Sequence, residues 1–244
     1  MRILLFMLAV LSALSPKAQT TPFFSTVQVE FEKTVSVHQL MKAVEPEWFE
    51  SSKEHMPAET KSYFLFTGDT AQSVYRQTKE AVIPPGMWFN PVADNNVVYN
   101  NYRTGRTITQ KPVFETTFLV DDSLLKIKWK ITGDTRNIAG YDCRKAVGIV
   151  FDSVAVFAFY TDELMVPGGP EGIHGLPGMI LGVGIPRLHT TWFATRVTPN
   201  APMNKVAPEK KGKSINRRDM IDAINKVMKD WGGYGKNLVM NYLI

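Results

Sequence analysis

The sequence predicts a mainly β, α+β fold: a curved antiparallel sheet or partly open half-barrel, with a short N-terminal helical insertion and a C-terminal amphipathic helix. Three observations predict it. Apolar and polar residues alternate with a period of two, most cleanly where Leu125, Ile127, Trp129 and Ile131 interleave with Lys126, Lys128 and Lys130. Turn residues separate such runs at roughly ten-residue spacing, the rhythm of a sandwich, barrel or curved sheet. The period becomes helical near the C-terminus, where Met220, Ile221, Ile224, Val227, Met228 and Trp231 share one face.

Taken in order, the chain starts with Arg2, an apolar run from Ile3 to Leu14, and Ser15-Pro16-Lys17-Ala18. The run is shorter than the ~20 residues of a membrane-spanning helix. It has the three regions of a secretory signal peptide, with cleavage expected after Ala18 and alternative cuts at Ala13 to Ser15. No Cys follows the run, so a lipobox anchor is excluded. The expected mature chain is one β-rich domain, residues 19–244, with the sheet at 26–200, a linker at 201–213 and a helix at 214–232. The compartment expected is the periplasm or outer-membrane periphery of a Gram-negative bacterium.

Thr26 to Val37 places Val27, Val29 and Phe31 opposite Gln28, Glu30 and Glu32, a half-buried strand. His38 to Glu59 is helix-prone and broken by Pro46 and Pro57. Ser62 to Thr67 reads as a strand ending at Gly68-Asp69, with Ser73 to Tyr75 a short continuation. The loop Ala81 to Asp94 carries Met87, Trp88 and Phe89, a flap on the core or a lid. Strands are then expected at Val97 to Arg103, Arg106 to Lys111, Phe114 to Val120 and Leu125 to Ile131. A turn at Ile138 to Gly140 leads to a hairpin, Tyr141 to Phe151 and Val154 to Tyr160, through Asp152-Ser153. Met179 to Ile185 and His189 to Val197 complete the series. Asn216 with Asp219 signals a helix start, and Gly232-Gly233 a stop.

The 244 residues are 44% hydrophobic and 21% charged, as in globular proteins, and allow one large domain or two small ones. One Cys excludes a disulfide framework and a multi-Cys zinc site. Without Arg2 and Lys17 the basic side chains number 26 against 23 acidic, a charge of +3. The basic stretch Glu209 to Lys213 with Arg217-Arg218 lacks interleaved aromatics, so nucleic acid is not an expected partner.

Chemistry-bearing patterns are sparse. His38 with Met41, and His55 with Met56, are soft-ligand candidates of the kind that suits copper, and His174 and His189 flank a Gly-rich segment. Core filling is the competing reading of the methionines. Cys143 lies mid-strand, where a thiol is buried and inert. No G-x-S-x-G is present. Prolines in Gly168-Gly169-Pro170 and Gly175-Leu176-Pro177-Gly178 remove donors that a phosphate would use. Carboxylates at Asp121, Asp122, Asp134, Asp162 and Glu163 are scattered. No cofactor is expected.

Gly175-Leu176-Pro177-Gly178-Met179-Ile180 resembles the signature of the GLPGLI family of secreted Bacteroidetes proteins, with Met179 in place of the usual Leu. Trp129-Lys130-Ile131 with Asp134-Thr135, and Ile138 to Ala146 including Gly140, Tyr141, Cys143 and Lys145, are similar to a second family block. Phe159-Tyr160-Thr161-Asp162-Glu163 with Gly169-Pro170 is similar to a third, with Phe159 where Trp is usual and Leu164-Met165 where Ile-Pro is usual. The resemblance implies export and a β-rich fold, not a reaction. It also implies a partner, since such proteins are often encoded near TonB-dependent outer-membrane transporters. The signature loop is then structural or partner-binding. Trp129, Tyr141 and Tyr160 are core aromatics with a polar handle.

The function expected is that of an exported, non-enzymatic accessory protein, binding an outer-membrane transporter, an assembly partner, or an apolar or peptidic ligand. The alternatives are an exported copper handler and a hydrolase with an unrecognised site. No mature transmembrane helix is expected.

Overall fold

The computed structural model describes residues 24–82, 93–151, 153–204 and 206–244, with backbone alone at 232–234 and 236–238. The signal-peptide reading of 1–18 and the Met87-Trp88-Phe89 loop lie outside the described residues.

Among the described residues, twelve strands form one open sheet: β1 (Thr26–Val35), β2 (Thr60–Asp69), β3 (Gln72–Lys79), β4 (Val97–Asn101), β5 (Arg106–Val113), β6 (Thr116–Ser123), β7 (Lys130–Ile138), β8 (Tyr141–Val150), β9 (Val154–Thr161), β10 (Met179–Ile185), β11 (Thr190–Pro199) and β12 (Lys213–Ile215). Their spatial order is β12-β6-β5-β4-β3-β2-β1-β11-β10-β9-β8-β7. All neighbours are antiparallel except β12 on β6. The chain therefore makes one meander outward from β1 to β6, jumps to the far edge, and meanders back from β7 to β11, which closes on β1.

That jump forces the sheet to curve. Ten inter-strand steps separate β6 from β7, about 48 Å along a flat sheet. The seven steps from Ser123 to Lys130 reach at most ~25 Å. The jump is made by residues 124–129, which join no ladder. Leu125, Ile127 and Trp129 pack against the main core while the intervening lysines stay out. The expected strand at Leu125 to Ile131 is thus an extended strap, and β7 starts only at Lys130. Alternation reports a two-sided environment; it does not supply a hydrogen-bonding partner.

The main core lies on the concave side. It joins Val98 of β4 to Val150 of β8, with Leu164, Val166, Ile173 and Leu176 from the loop after β9 between them. β10 is buried at all seven positions. Its outer side is covered by rings lying over glycine: a Cβ at Gly182 would meet Phe193 at 2.8 Å, and one at Gly184 would meet the Phe157 ring.

Among the described residues, four α-helices accompany the sheet. α1 (Val37–Val44) and α2 (Pro46–Ser52) interrupt the connection from β1 to β2. α3 (Arg217–Val227) starts on an Asn216 cap, whose Oδ1 accepts from Asp219 N at 2.8 Å. α4 (Gly232–Leu243) follows. This corrects the expected linker and helix boundaries: Lys213 to Ile215 is strand, α3 ends at Val227, and Gly232-Gly233 opens a helix rather than stopping one. Glycine at a helix start has weak propensity; Val239 and Tyr242, buried in a second core with Met220, Ile224 and Met228, hold α4 by packing. Two further expectations change. Ser73 to Tyr75 belongs to a full strand, and Phe114 is a turn residue at φ 52°. Among the described residues no helix is long and apolar enough to cross a membrane.

Candidate functional site: a buried polar cluster and an apolar groove

The inner face of the sheet is apolar at Val27, Val29 and Phe31, then turns polar. Continuing the alternation of β1 brings Lys33 inward, 4% exposed. The same period brings Thr107, Thr109 and Lys111 inward on β5, with Asn100 on β4. Lys33 Nζ lies 2.6 Å from Asp94 Oδ1, and Ser62 Oγ donates to Asp94 Oδ2. Lys33 also sits over the Trp192 ring, 5.4 Å from its centroid. Lys111 Nζ donates to the carbonyl oxygens of Tyr242 at 3.0 Å and Ile244 at 2.5 Å, satisfying carbonyls that a helix end leaves open. Burial pulls the Lys111 ammonium down to about 8.

Glu171 completes this region. It stands between Pro170 and Gly172 at φ 52°, an uncommon backbone region for a residue with a side chain. The residue as a whole keeps some exposure, but both carboxylate oxygens are buried, with Asn96 beside them. Burial raises its pKa, with Lys33 and Lys111 opposing. A small cavity of about 50 Å³ lies beside this cluster, and most of its lining is apolar, Val98, Val120, Ile173 and Met220 among it.

A second concavity, about 330 Å³, opens on the surface between the β5–β6 turn and α3. Phe114, Val227 and Trp231 wall it, and are 52%, 58% and 46% exposed. The Phe114 and Trp231 ring centroids are 5.8 Å apart. Of the apolar α3 face read from the sequence, Met220, Ile224 and Met228 are buried. Among the described residues, the chain that faces Val227 and Trp231 is the turn at Phe114.

The signature segment lies under the sheet's concave face. Leu176 is buried, Pro177 exposed, and Met179 and Ile180 fully buried at the start of β10. Met179 N donates to Leu164 O and Ile180 N to Gly168 O, both at 2.9 Å. Gly175 and Gly178 have φ of 96° and 134°. Gly169 is extended, Pro170 buried, and a Cβ on Gly169 would meet Ile180 Cβ at 2.8 Å. Trp129 Nε1 donates to His174 O at 2.9 Å, tying the strap to this loop. Tyr160 is fully buried, Tyr141 half-buried, and Gly140 forms an exposed turn at φ 89°. Lys145 reaches outward to Asp134 at 3.0 Å.

Cys143 is fully buried, and burial, aided by Glu163 and Asp142, pushes its thiol up to about 12. A thiol-directed reagent should therefore leave the native protein unmodified at pH 8 and label it once unfolded in denaturant. Rapid labelling of the native protein would contradict this.

The soft-ligand candidates divide. His38 Nε2 lies 3.0 Å from Met56 O and stacks edge-on to Phe49. Met41 and Met56 are buried in the small apolar cluster beneath α1 and α2. His55 is exposed. His174 neighbours the Tyr102 ring, and burial lowers its pKa. His189 takes a left-handed turn before β11, where its carbonyl accepts from Ser36 N at 2.9 Å. Among the described residues no three His, Cys, Asp or Glu side chains form a metal-holding group.

Sequence reasoning passed over Lys33, Asp94, Lys111 and Glu171. For Lys33 the signal was present: it continues the inward alternation of Val27, Val29 and Phe31. Lys111 shares its phase with Thr107 and Thr109, so alternation alone would have placed it outward. Asp94 and Glu171 lie in irregular segments, where no period assigns a face.

Comparison with known proteins places this fold. A model of the family described as N-glycanase peptide, N-terminal domain, matches residues 91–207. Two crystal structures of PNGF-II, in the C2 and P21 space groups, are similar at 17% and 16% identity, with TM-scores of 0.53 and 0.54. Each match covers 86% of this chain, and 33% and 34% of the respective PNGF-II chains, so the chain spans about a third of their length. No curated protein matches. At this identity the likeness shows the fold: a mainly β, open-sheet architecture shared with part of PNGF-II.

Proposed function

We propose that this chain is an exported, non-enzymatic accessory protein of GLPGLI type, a half-barrel-like domain that binds an apolar segment of an envelope partner in the groove between Phe114 and α3. A TonB-dependent outer-membrane transporter is the partner class that this resemblance favours. The observation that carries the reading is Phe114. A bulky residue with positive φ is held against its preference, at a cost of ~1–3 kcal/mol, and strain of this kind gathers at binding sites. Here it presents a half-exposed ring beside two more exposed apolar side chains.

Phe114→Gly tests this. Relief of the strain offsets lost ring contacts worth ~0.5–1.5 kcal/mol each. The melt should stay within ~1 kcal/mol of wild type, while capture of a membrane protein from solubilised envelope falls at least tenfold. Equal capture by the variant would reject the groove as the binding site.

A further inference from the structure

The groove between the β5–β6 turn and α3 holds more than apolar surface. Phe114, Ile224, Val227 and Trp231 give it apolar walls, and Glu115 is the one ionisable residue among its described walls. Glu115 is exposed and, among the described residues, forms no ion pair. Lys226 and Lys229, the cations nearest to Val227 in sequence, are exposed and are not among these walls. The Phe114 and Trp231 rings are tilted by 57° with centroids 5.8 Å apart. Phe114 also meets the Tyr242 ring at 6.0 Å, so it is braced by two other rings. Two half-exposed ring faces therefore stand beside an unmatched carboxylate.

These parts select an occupant. A wholly apolar side chain would cover the rings, draw water away from Glu115 and leave its carboxylate without a partner. An acidic side chain would meet a like charge. A long basic side chain answers both halves of the groove: its methylene stem packs on apolar walls, and its cation is attracted to ring faces and to a carboxylate. We propose that the segment taken by this groove carries a lysine or arginine, its stem against Val227 and the two rings and its cation paired with Glu115. This rests on the groove being the binding site and adds the chemistry that it selects.

The test titrates the full chain calorimetrically with three short acetylated, amidated peptides of leucine, phenylalanine and serine. They differ at one central position, which is lysine, glutamine or glutamate. Wild type should bind the lysine peptide about threefold tighter than the glutamine one and about tenfold tighter than the glutamate one, the scale of an exposed ion pair joined to a cation–π contact. High salt should shrink that preference, because exposed charges are screened. Glu115→Gln lies on an exposed turn; it should melt as wild type and bind the lysine and glutamine peptides equally. Glu115→Lys should favour the glutamate peptide. Equal binding of all three peptides by wild type, lost in Phe114→Gly, would overturn this proposal and leave the groove as the binding site. A lysine preference that persists in Glu115→Gln would also overturn it, since the cation is then held elsewhere. No binding of any peptide would reject the groove reading and this proposal together.

Discussion

A Gly178→Val variant is expected to lose the cooperative thermal melt or to melt far below wild type. Gly178 has φ of 134°, which side chains rarely adopt, and a Cβ there would overlap the Thr161 carbonyl, 2.9 Å from its carbon, and lie 3.0 Å from Asp162 Cα. The obstacle is backbone on both counts, so no rotamer change relieves it. Strain of ~1–3 kcal/mol adds to a similar overpacking cost, about 3–5 kcal/mol in all. That is a large share of the ~5–15 kcal/mol that holds a domain folded. Gly175→Ala is the control: φ is 96°, but the added carbon would meet Trp129 Nε1 at 3.5 Å, an ordinary contact, so ~1–2 kcal/mol is expected. Denaturant melts of the two variants compare them directly. A wild-type melt for Gly178→Val would show that the signature loop is a docking surface rather than the launch point of β10.

Asp94→Ala is expected to cost ~3–5 kcal/mol, because it leaves the Lys33 ammonium buried without its carboxylate and removes the acceptor of Ser62. The double variant Lys33→Met with Asp94→Ala should cost less than the two single changes summed, since removing both charges removes the unmatched one. Chemical denaturation of the three proteins measures the coupling; strict additivity would mean that the pair does not act as a unit.

The sheet was legible where one residue in two faces a core. β1, the hairpin of β8 and β9, and β11 announce themselves in this way, whereas β10, buried at all seven positions, reads as a continuous apolar run. The strap at 124–129 has the same alternation and no ladder, because period two is a statement about burial, and pairing depends on which distant strand lies beside it. The end of α3 was misplaced for a related reason. Gly232-Gly233 is a stop signal locally, but Val239 and Tyr242 gain enough by burial to hold a helix beyond it. Of the site, Lys33 was readable in principle as a cation on an inward position; Lys111 was not, because its face of β5 carries Thr107 and Thr109 while Ile108 points the other way. Glu171 was not, since its direction comes from a left-handed backbone that no neighbouring pattern encodes. Phe114 looked like one more strand residue, and only its positive φ turns it outward.

The most direct test of the binding reading is site-specific photo-cross-linking in intact cells. A photoreactive residue replaces Phe114 in one strain and Ile149, an exposed apolar residue on β8, in another. The account predicts a discrete adduct with a membrane protein from position 114 and none from position 149. Adducts from 149 alone, or none from 114 in a protein that melts as wild type, would contradict it.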